Sequence, residues 1–116
     1  MEILLKRAYE PATAEDGCRI LVDRLWPRGR SRADLAIDHW PKEVAPSTDL
    51  RRWYGHDPKK WDEFRSRYDQ ELDANREVVK DLLGHCRKGR VTLVFGARDV
   101  EHSDAVVLRD HLLRLA

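Results

Sequence analysis

Arginines cluster in residues 23–32, and this segment is the first part of the sequence where side chains could perform chemistry. A guanidinium group is planar and can donate hydrogen bonds to two oxygens of a phosphate or carboxylate at once. We therefore expect Arg24 and Arg28 to hold a small anion. Trp26 would form a flat wall of that site, and Gly29 would let the backbone approach the ligand closely.

A second polar segment, residues 96–103, follows the most apolar part of the chain. Arg98 would add a cation to the anion site, and Asp99, like Asp23, would orient an arginine or a water molecule. His102 would move a proton, because imidazole titrates near neutral pH. No spacing typical of a metal centre supports a metal site at Asp99 and His102, so none is assigned.

His56 is a third candidate, in the segment WYGHDP between two predicted helices. A neighbouring carboxylate can fix the tautomer of an imidazole, so His56 beside Asp57 is a candidate general acid or base. A simpler interpretation assigns Asp57 to helix capping and makes His56 part of the turn. The sequence leaves both interpretations open.

The residues of the first segment also have structural interpretations. Asp23 and Arg24 would then form ion pairs that serve only the fold, and Trp26 would belong to the core. Arg30 and Arg32 are expected at the solvated surface. The chain has neither a P-loop nor a dinucleotide-binding fingerprint, so the cofactor, if there is one, stays unknown.

Length and charge restrict the class of protein. The chain has 116 residues, 41% hydrophobic and 37% charged, and we expect one domain over residues 1–116. No apolar run reaches the ~20 residues of a membrane span, and the first residues do not resemble a secretory signal. Two cysteines, Cys18 and Cys86, are too few for a disulfide framework, so we expect a cytoplasmic protein. The net charge of +1 does not favour nucleic acid or a membrane as partner.

Three short apolar segments, residues 3–5, 19–23 and 90–95, predict β-strands. The second and third are almost continuous aliphatic runs, which are typical of strands covered on both faces of an α/β sheet. With helical patterns between them, they predict a layered α/β domain. The first connection is short for a parallel crossover that contains a helix, so the direction of the first strand pair stays open.

Capping residues and apolar periodicity predict the helices. Ser47 can cap a short helix that Gly55 ends, and Asp57 followed by proline starts the next one. Asn75 predicts a break between two further helices, and Gly84 is expected near the end of the helix that follows Asn75. Ser103 or Asp104 can start the last helix.

Ligand sites in open α/β sheets form beyond the carboxyl ends of the strands. Segments 23–32 and 96–103 follow the second and third predicted strands. If these strands run in the same direction, we expect the two segments to meet across one pocket. The side chains predicted to converge there are Arg24, Arg28, Arg30, Arg32, Arg98, Asp23, Asp99 and His102.

Four segments of the chain resemble a known family. They are LVDRLWPRG (21–29), APSTDLRRWYGHDP (45–58), WDEFRSRYDQEL (61–72) and VTLVFGARDVEHSDAVVL (91–108). In order and spacing they are similar to the YeaO-like proteins, a bacterial family grouped as domain of unknown function 488. The resemblance runs nearly end to end. It implies a single small α/β domain in the cytosol with a Rossmann-like sheet, and it implies no activity.

The family pattern covers the polar positions singled out above. This chain departs from it at Ser103, where asparagine is usual, and at Gly96, where alanine is usual. Because Ser103 replaces that asparagine, a ligand contact from a side-chain amide at the position after His102 is not expected in this chain. The pattern falls on Asp23, Arg24, Trp26, Pro27, Arg28, Gly29, Trp53, Gly55, His56, Asp57, Pro58, Phe64, Tyr68, Leu72, Arg98, Asp99 and His102.

Taken together, we predict a Rossmann-like sheet of about three to four mostly parallel strands flanked by helices. We expect the chain to bind a small phosphate- or carboxylate-bearing ligand at the strand ends. Hydrolase or transferase chemistry, and the oligomeric state, stay open. The alternative function is a regulatory module that binds nucleic acid or protein through a basic stripe, Arg24 to Arg32. The near-zero net charge and the lack of a helix-turn-helix pattern count against nucleic acid.

Overall fold

The computed structural model describes all residues, 1–116, and its three strands form one parallel sheet. The strands are β1 (Ile3–Arg7), β2 (Cys18–Leu21) and β3 (Val91–Phe95). β3 lies in the middle and pairs with β1 on one side and with β2 on the other. The predicted α/β class and the three strands are confirmed. The direction that the sequence left open is settled, because all three strands are parallel.

Five α-helices and three short 3-10 turns surround the sheet. The helices are α1 (Arg32–Leu35), α2 (Thr48–Tyr54), α3 (Trp61–Ala74), α4 (Arg76–Lys88) and α5 (Asp104–Leu115). The 3-10 turns are Ala14–Asp16, Lys42–Val44 and Pro58–Lys60. None of the helices combines the length and apolar character that crossing a membrane requires.

Most helix ends follow local signals. The Ser47 hydroxyl accepts a hydrogen bond from the Leu50 N–H at 3.2 Å, and Gly55 ends α2 in the left-handed conformation. Asn75 separates α3 from α4, as predicted. Gly84 lies inside α4, about one turn before its end at Lys88, in agreement with the prediction that it lies near the end of that helix. A glycine inside a helix costs only about 1 kcal/mol, which the buried apolar side chains of α4 outweigh.

The two faces of the sheet are covered differently. On one face, β-strand residues such as Leu93 and Phe95 pack against α3, α4 and α5 in the larger core. On the other face, Leu21 and Val94 form a smaller cluster with Leu35 of α1, a helix that the sequence did not predict. Because both faces are buried, the strands read as continuous apolar runs.

The connection between β1 and β2 contains a buried ion cluster and no α-helix. This connection runs from the carboxyl end of β1 back to the amino end of β2. On its way, Asp16 pairs with Arg19 at 2.6 Å and with Lys6 at 3.0 Å. The Thr92 hydroxyl donates to the Asp16 carbonyl at 2.7 Å. Gly17 follows with φ of 66°, a backbone conformation that favours glycine. The short connection therefore joins two parallel strands without an α-helix.

Removing the charge of Asp16 should destabilise the fold. Burial alone raises the pKa of Asp16, but hydrogen bonds from Thr13, Lys6 and Arg19 outweigh burial and lower the pKa to about 2. We expect D16N to reduce the free energy of unfolding by about 3 kcal/mol, because Arg19 stays buried without its counter-ion. The wild type should lose this stabilisation as the pH falls from about 4 to about 2, and urea unfolding at several pH values measures both effects.

Glu63→Gln is the matched control for this variant. Glu63 pairs with Arg67 on the exposed surface of α3, so its loss should cost less than about 0.5 kcal/mol. Equal losses in D16N and E63Q would contradict a special role for the buried cluster.

Candidate functional site

A cavity of about 240 Å³ opens at the carboxyl ends of β2 and β3. It lies between the segment after β2, the helices α2 and α3, the loop after β3 and the first residue of α5. Its lining residues are Asp23, Arg24, Leu25, Ala45, Pro46, Arg51, Tyr54, His56, Phe64, Gly96, Ala97, His102, Ser103 and Asp104. This is the location at which open α/β sheets bind ligands.

The segments after β2 and β3 meet through Asp23. Its Oδ2 accepts a hydrogen bond from the Gly96 N–H at 2.8 Å, and its carbonyl accepts one from the Trp40 indole at 2.8 Å. The prediction that the two segments face each other at one edge of the sheet is therefore confirmed. Asp23 is held from both sides, which orients its carboxylate at the floor of the cavity.

Asp23 forms a carboxyl pair with Asp104, the first residue of α5. Both side chains line the cavity, close enough together that each alters the pKa of the other. Burial and the neighbouring Asp23 hold the pKa of Asp104 well above its usual range. Burial also raises the pKa of Asp23, while the hydrogen bonds from Asp104 and Gly96 and the charges of His56 and Arg51 oppose that rise. Of the two carboxyl groups, that of Asp104 therefore holds its proton more readily than an ordinary aspartate does.

Two guanidinium groups line the same cavity. Arg24 follows β2, and its Nη2 donates to the carbonyls of Ala45 at 3.3 Å and Pro46 at 3.4 Å. Its Nε is buried and has no hydrogen-bond acceptor. Arg51 extends from α2 and has no ion-pair partner. Arg51 therefore has no competing ion pair, and Arg24 keeps one donor without an acceptor.

His56 lies at the rim in a left-handed backbone conformation, with φ of 56°. It follows Gly55, whose φ of 54° ends α2, so two successive left-handed residues turn the chain at this point. Histidine adopts this conformation more often than most residues do, but a non-glycine residue there is uncommon. Asp57 caps the next turn by accepting from the Lys59 N–H at 3.0 Å, which confirms the capping interpretation.

His102 lies on the opposite side of the cavity and is held by two neighbours. The Asp99 carboxylate lies 2.7 Å from His102 Nδ1, and the edge of the ring meets Trp61 at a centroid distance of 5.2 Å. The Tyr54 hydroxyl donates to the His102 carbonyl at 2.8 Å. Burial, followed by the charges of Asp99 and two other aspartates, raises the pKa of Tyr54 to about 12, so this hydroxyl stays a donor. Asp99 itself does not line the cavity.

Four of the predicted ligand-binding residues lie elsewhere. Trp26 packs against Trp40 and donates to the Arg30 carbonyl at 2.6 Å, beside the smaller apolar cluster. Arg28, Gly29 and Arg98 are exposed and do not line the cavity. Of the five arginines that we expected to converge, Arg24 alone does so. The other four lie outside this cavity: Arg30 contacts the carboxyl end of β1, and Arg28, Arg32 and Arg98 are exposed.

The basic stripe of residues 24–32 is divided in the structure. Arg24 faces the cavity, and the Arg30 Nε donates to the Ala8 carbonyl at 3.0 Å. Arg28 and Arg32 remain exposed. The exposed cationic surface is therefore smaller than the sequence alone indicated.

Sequence reasoning did not assign Arg51, Tyr54 or Asp104 to the site. Arg51 stands beside Arg52 in α2, and no local signal distinguishes the two. Asp104 was considered only as a start of the last helix. Its pairing with Asp23 depends on the sheet order, because the two residues are far apart in the sequence. No group of three or more His, Cys, Asp or Glu side chains is placed to hold a metal ion.

These features define a small α/β protein with a mixed acidic and basic cavity at its strand ends. The chain belongs to the DUF488-N3i family, described as the inactive DUF488-N3 subclade, whose model matches residues 2–115. It is 43% identical over 115 residues to the uncharacterized protein YeaO of Escherichia coli (strain K12), covering 99% of this chain and 100% of that protein. It is 42% identical over 108 residues to the uncharacterized protein Rv3073c of Mycobacterium tuberculosis (strain ATCC 25618 / H37Rv), covering 91% and 89%. No solved structure matches the chain.

Asp104→Asn should stabilise the protein at neutral pH. Between about pH 4 and the raised pKa of Asp104, the folded state binds more protons than the unfolded state, so wild-type stability falls as the pH rises through that window. An asparagine amide donates to Asp23 without needing a proton. We expect D104N to exceed the wild type by about 1 kcal/mol near neutral pH, with a smaller difference near pH 4, as measured by urea unfolding.

Glu101→Gln provides the control, because Glu101 is exposed and lies outside the cavity. Its stability should follow the wild type at every pH. A D104N profile parallel to that of the wild type would show that the pKa of Asp104 is not raised.

Proposed function

We propose that this protein binds a small anionic ligand, bearing a phosphate or a carboxylate, in the cavity at the ends of β2 and β3. The observation that carries the proposal is that two guanidinium groups without an ion-pair partner, Arg24 and Arg51, line one cavity. Burial and the neighbouring Asp23 raise the pKa of Asp104, which lowers the negative charge that opposes these two cations. The cavity thus gathers cations although the whole chain is nearly neutral.

The unpartnered Nε of Arg24 supports the same conclusion. A buried donor without an acceptor costs roughly 1–3 kcal/mol, and a ligand oxygen beside it removes that cost. Arginine also binds planar oxyanions through two parallel hydrogen bonds. Arg24 is already fixed by the carbonyls of Ala45 and Pro46, so it loses little side-chain entropy when a ligand binds.

The size of the cavity favours a small ligand. Its volume of about 240 Å³ lies below the range of roughly 300–1,000 Å³ that is usual for drug-sized ligands. Phe64 and Leu25 add apolar walls, which suit a short carbon skeleton. His56 and His102 lie at the rim, where either ring adds a positive charge when it is protonated.

The description of the family as an inactive subclade favours binding over catalysis. Asp23, Asp99, His56 and His102, which the sequence suggested for proton transfer, are accordingly proposed as groups that bind or orient. Cys18 and Cys86 are free thiols, in agreement with a cytoplasmic site of action. Hydrolase or transferase chemistry stays a prediction without a structural argument of its own.

The alternative, a nucleic-acid- or protein-binding module, stays a separate prediction. Arg28 and Arg32 are the exposed cations of the proposed stripe. Binding of a nucleic-acid phosphate backbone through these two arginines would weaken steeply as the salt concentration rises. Ligand binding in the cavity would instead depend on Arg51.

Arg51→Met should weaken the binding of inorganic phosphate about tenfold, because the variant loses a charge-assisted hydrogen bond while it keeps the length of the side chain. Isothermal titration calorimetry of the full chain at low ionic strength measures the Kd. The corresponding titration with acetate tests the carboxylate form of the ligand.

Arg52→Met is the matched control. Arg52 is the next residue of α2 and is exposed, but it does not line the cavity. Its substitution should leave the phosphate affinity unchanged. Equal weakening by R51M and R52M would indicate a diffuse electrostatic effect and would overturn the proposed site, as would the absence of any phosphate or acetate binding to the wild type.

A further inference from the structure

The carboxyl pair at the floor of the cavity is not explained by binding a bare anion. Carboxylates repel phosphate, so a site that served only inorganic anions would gain affinity without Asp23 and Asp104. Yet both side chains line the cavity beside Arg24 and Arg51. The arrangement combines cationic donors with acidic acceptors in one small volume, and it therefore fits a ligand that carries two different groups.

Resting on the proposed anion site, we propose that the ligand is a small hydroxylated anion, whose anionic group binds Arg24 and Arg51 and whose hydroxyl groups donate to the Asp23–Asp104 pair. The class includes phosphate esters of small polyols and hydroxylated carboxylic acids. Asp23 and Asp104 thereby determine specificity, because they distinguish a hydroxylated ligand from an anion of similar size that lacks hydroxyl groups.

The two carboxyl groups retain acceptor capacity for such hydroxyls. Asp23 Oδ2 accepts from the Gly96 N–H at 2.8 Å, and Asp104 Oδ1 accepts from the Ala105 N–H at 3.0 Å. One further hydrogen bond joins the two groups to each other. A carboxylate offers about four lone-pair sites, so these contacts leave oxygen lone pairs that a ligand hydroxyl can use. The backbone contacts also fix both side chains before the ligand binds.

The charges around Asp23 favour a neutral donor over an ammonium group. Arg51 and His56 both lower the pKa of Asp23 through their charge, so its negative charge already faces cations. Arg24 and Arg51 already place two guanidinium groups in the cavity, and an ammonium group would bring a further cation beside them. A hydroxyl group adds no charge, and each one forms a hydrogen bond to the pair.

Two matched pairs of ligands test the proposal on the wild-type chain. Glycerol phosphate is compared with propyl phosphate, and glycerate with propionate, so that within each pair the hydroxyl groups are the difference. We expect the hydroxylated member to bind about tenfold more tightly or better, since hydrogen bonds to charged groups are stronger than those to neutral ones. The comparison of the two pairs identifies the anionic group that the cavity prefers. The Kd values are measured by calorimetry or by titration followed with NMR.

Substitution of the carboxyl pair assigns the preference to its residues. Asp23→Asn keeps an amide oxygen for the Gly96 N–H but removes the charge, and it should bring the affinities within each ligand pair close together. Asp104→Asn replaces the second carboxyl group by an amide, and it should also weaken the preference for the hydroxylated ligands. Glu101→Gln, outside the cavity, should resemble the wild type. Thermal unfolding of each variant shows whether it is folded.

The outcomes separate this inference from the function on which it rests. If the wild type binds propyl phosphate as tightly as glycerol phosphate, and propionate as tightly as glycerate, the inference is overturned while the anion site stands. A preference that survives in folded D23N also overturns it. If none of the four ligands binds, both the inference and the proposed function are overturned. A hydroxyl preference that D23N abolishes, D104N weakens and E101Q retains supports both.

Discussion

The hydrogen bond from the Gly96 N–H to the Asp23 carboxylate joins the two segments on which the cavity depends. It forms because β3 lies between β1 and β2 and all three strands are parallel, which places the ends of β2 and β3 at one edge of the sheet. The parallel direction in turn depends on the connection between β1 and β2, where the ion cluster around Asp16 replaces a helix. The sheet order and the site are therefore consequences of the same packing.

The cavity shows how a nearly neutral chain can concentrate charge locally. Burial raises the pKa of Asp23, and burial together with the nearby Asp23 raises the pKa of Asp104, so the two carboxyl groups are less readily ionised than exposed ones. That effect favours the guanidinium groups of Arg24 and Arg51 in the charge balance of the cavity. It also leaves the carboxyl oxygens as acceptors for neutral donors. The same pair thus accounts for the positive charge of the cavity and for its capacity to recognise hydroxyl groups.

Much of the local structure could be predicted from the sequence, because its causes are local. Ser47, Gly55, Asp57 and Asn75 mark helix ends through hydrogen bonds and backbone conformations within a few residues of each position. The continuous apolar runs predicted strands covered on both faces. Packing adds to these local causes: α4 passes through Gly84 into its last turn because apolar side chains are buried on both sides of that residue.

The sequence alone determined the α/β class, the strand segments, the family resemblance and two of the polar segments that meet at the sheet edge. Tertiary structure alone decided which arginines face the cavity. Arg24 lies inside while Arg28 and Arg98 lie in solvent, and this depends on turns whose side-chain directions are not encoded by residue type. It also decided that Asp104 meets Asp23, since α5 returns to the sheet edge through contacts between distant parts of the chain. Spacing along a chain specifies helices and turns, whereas the partners of a side chain depend on how those elements pack.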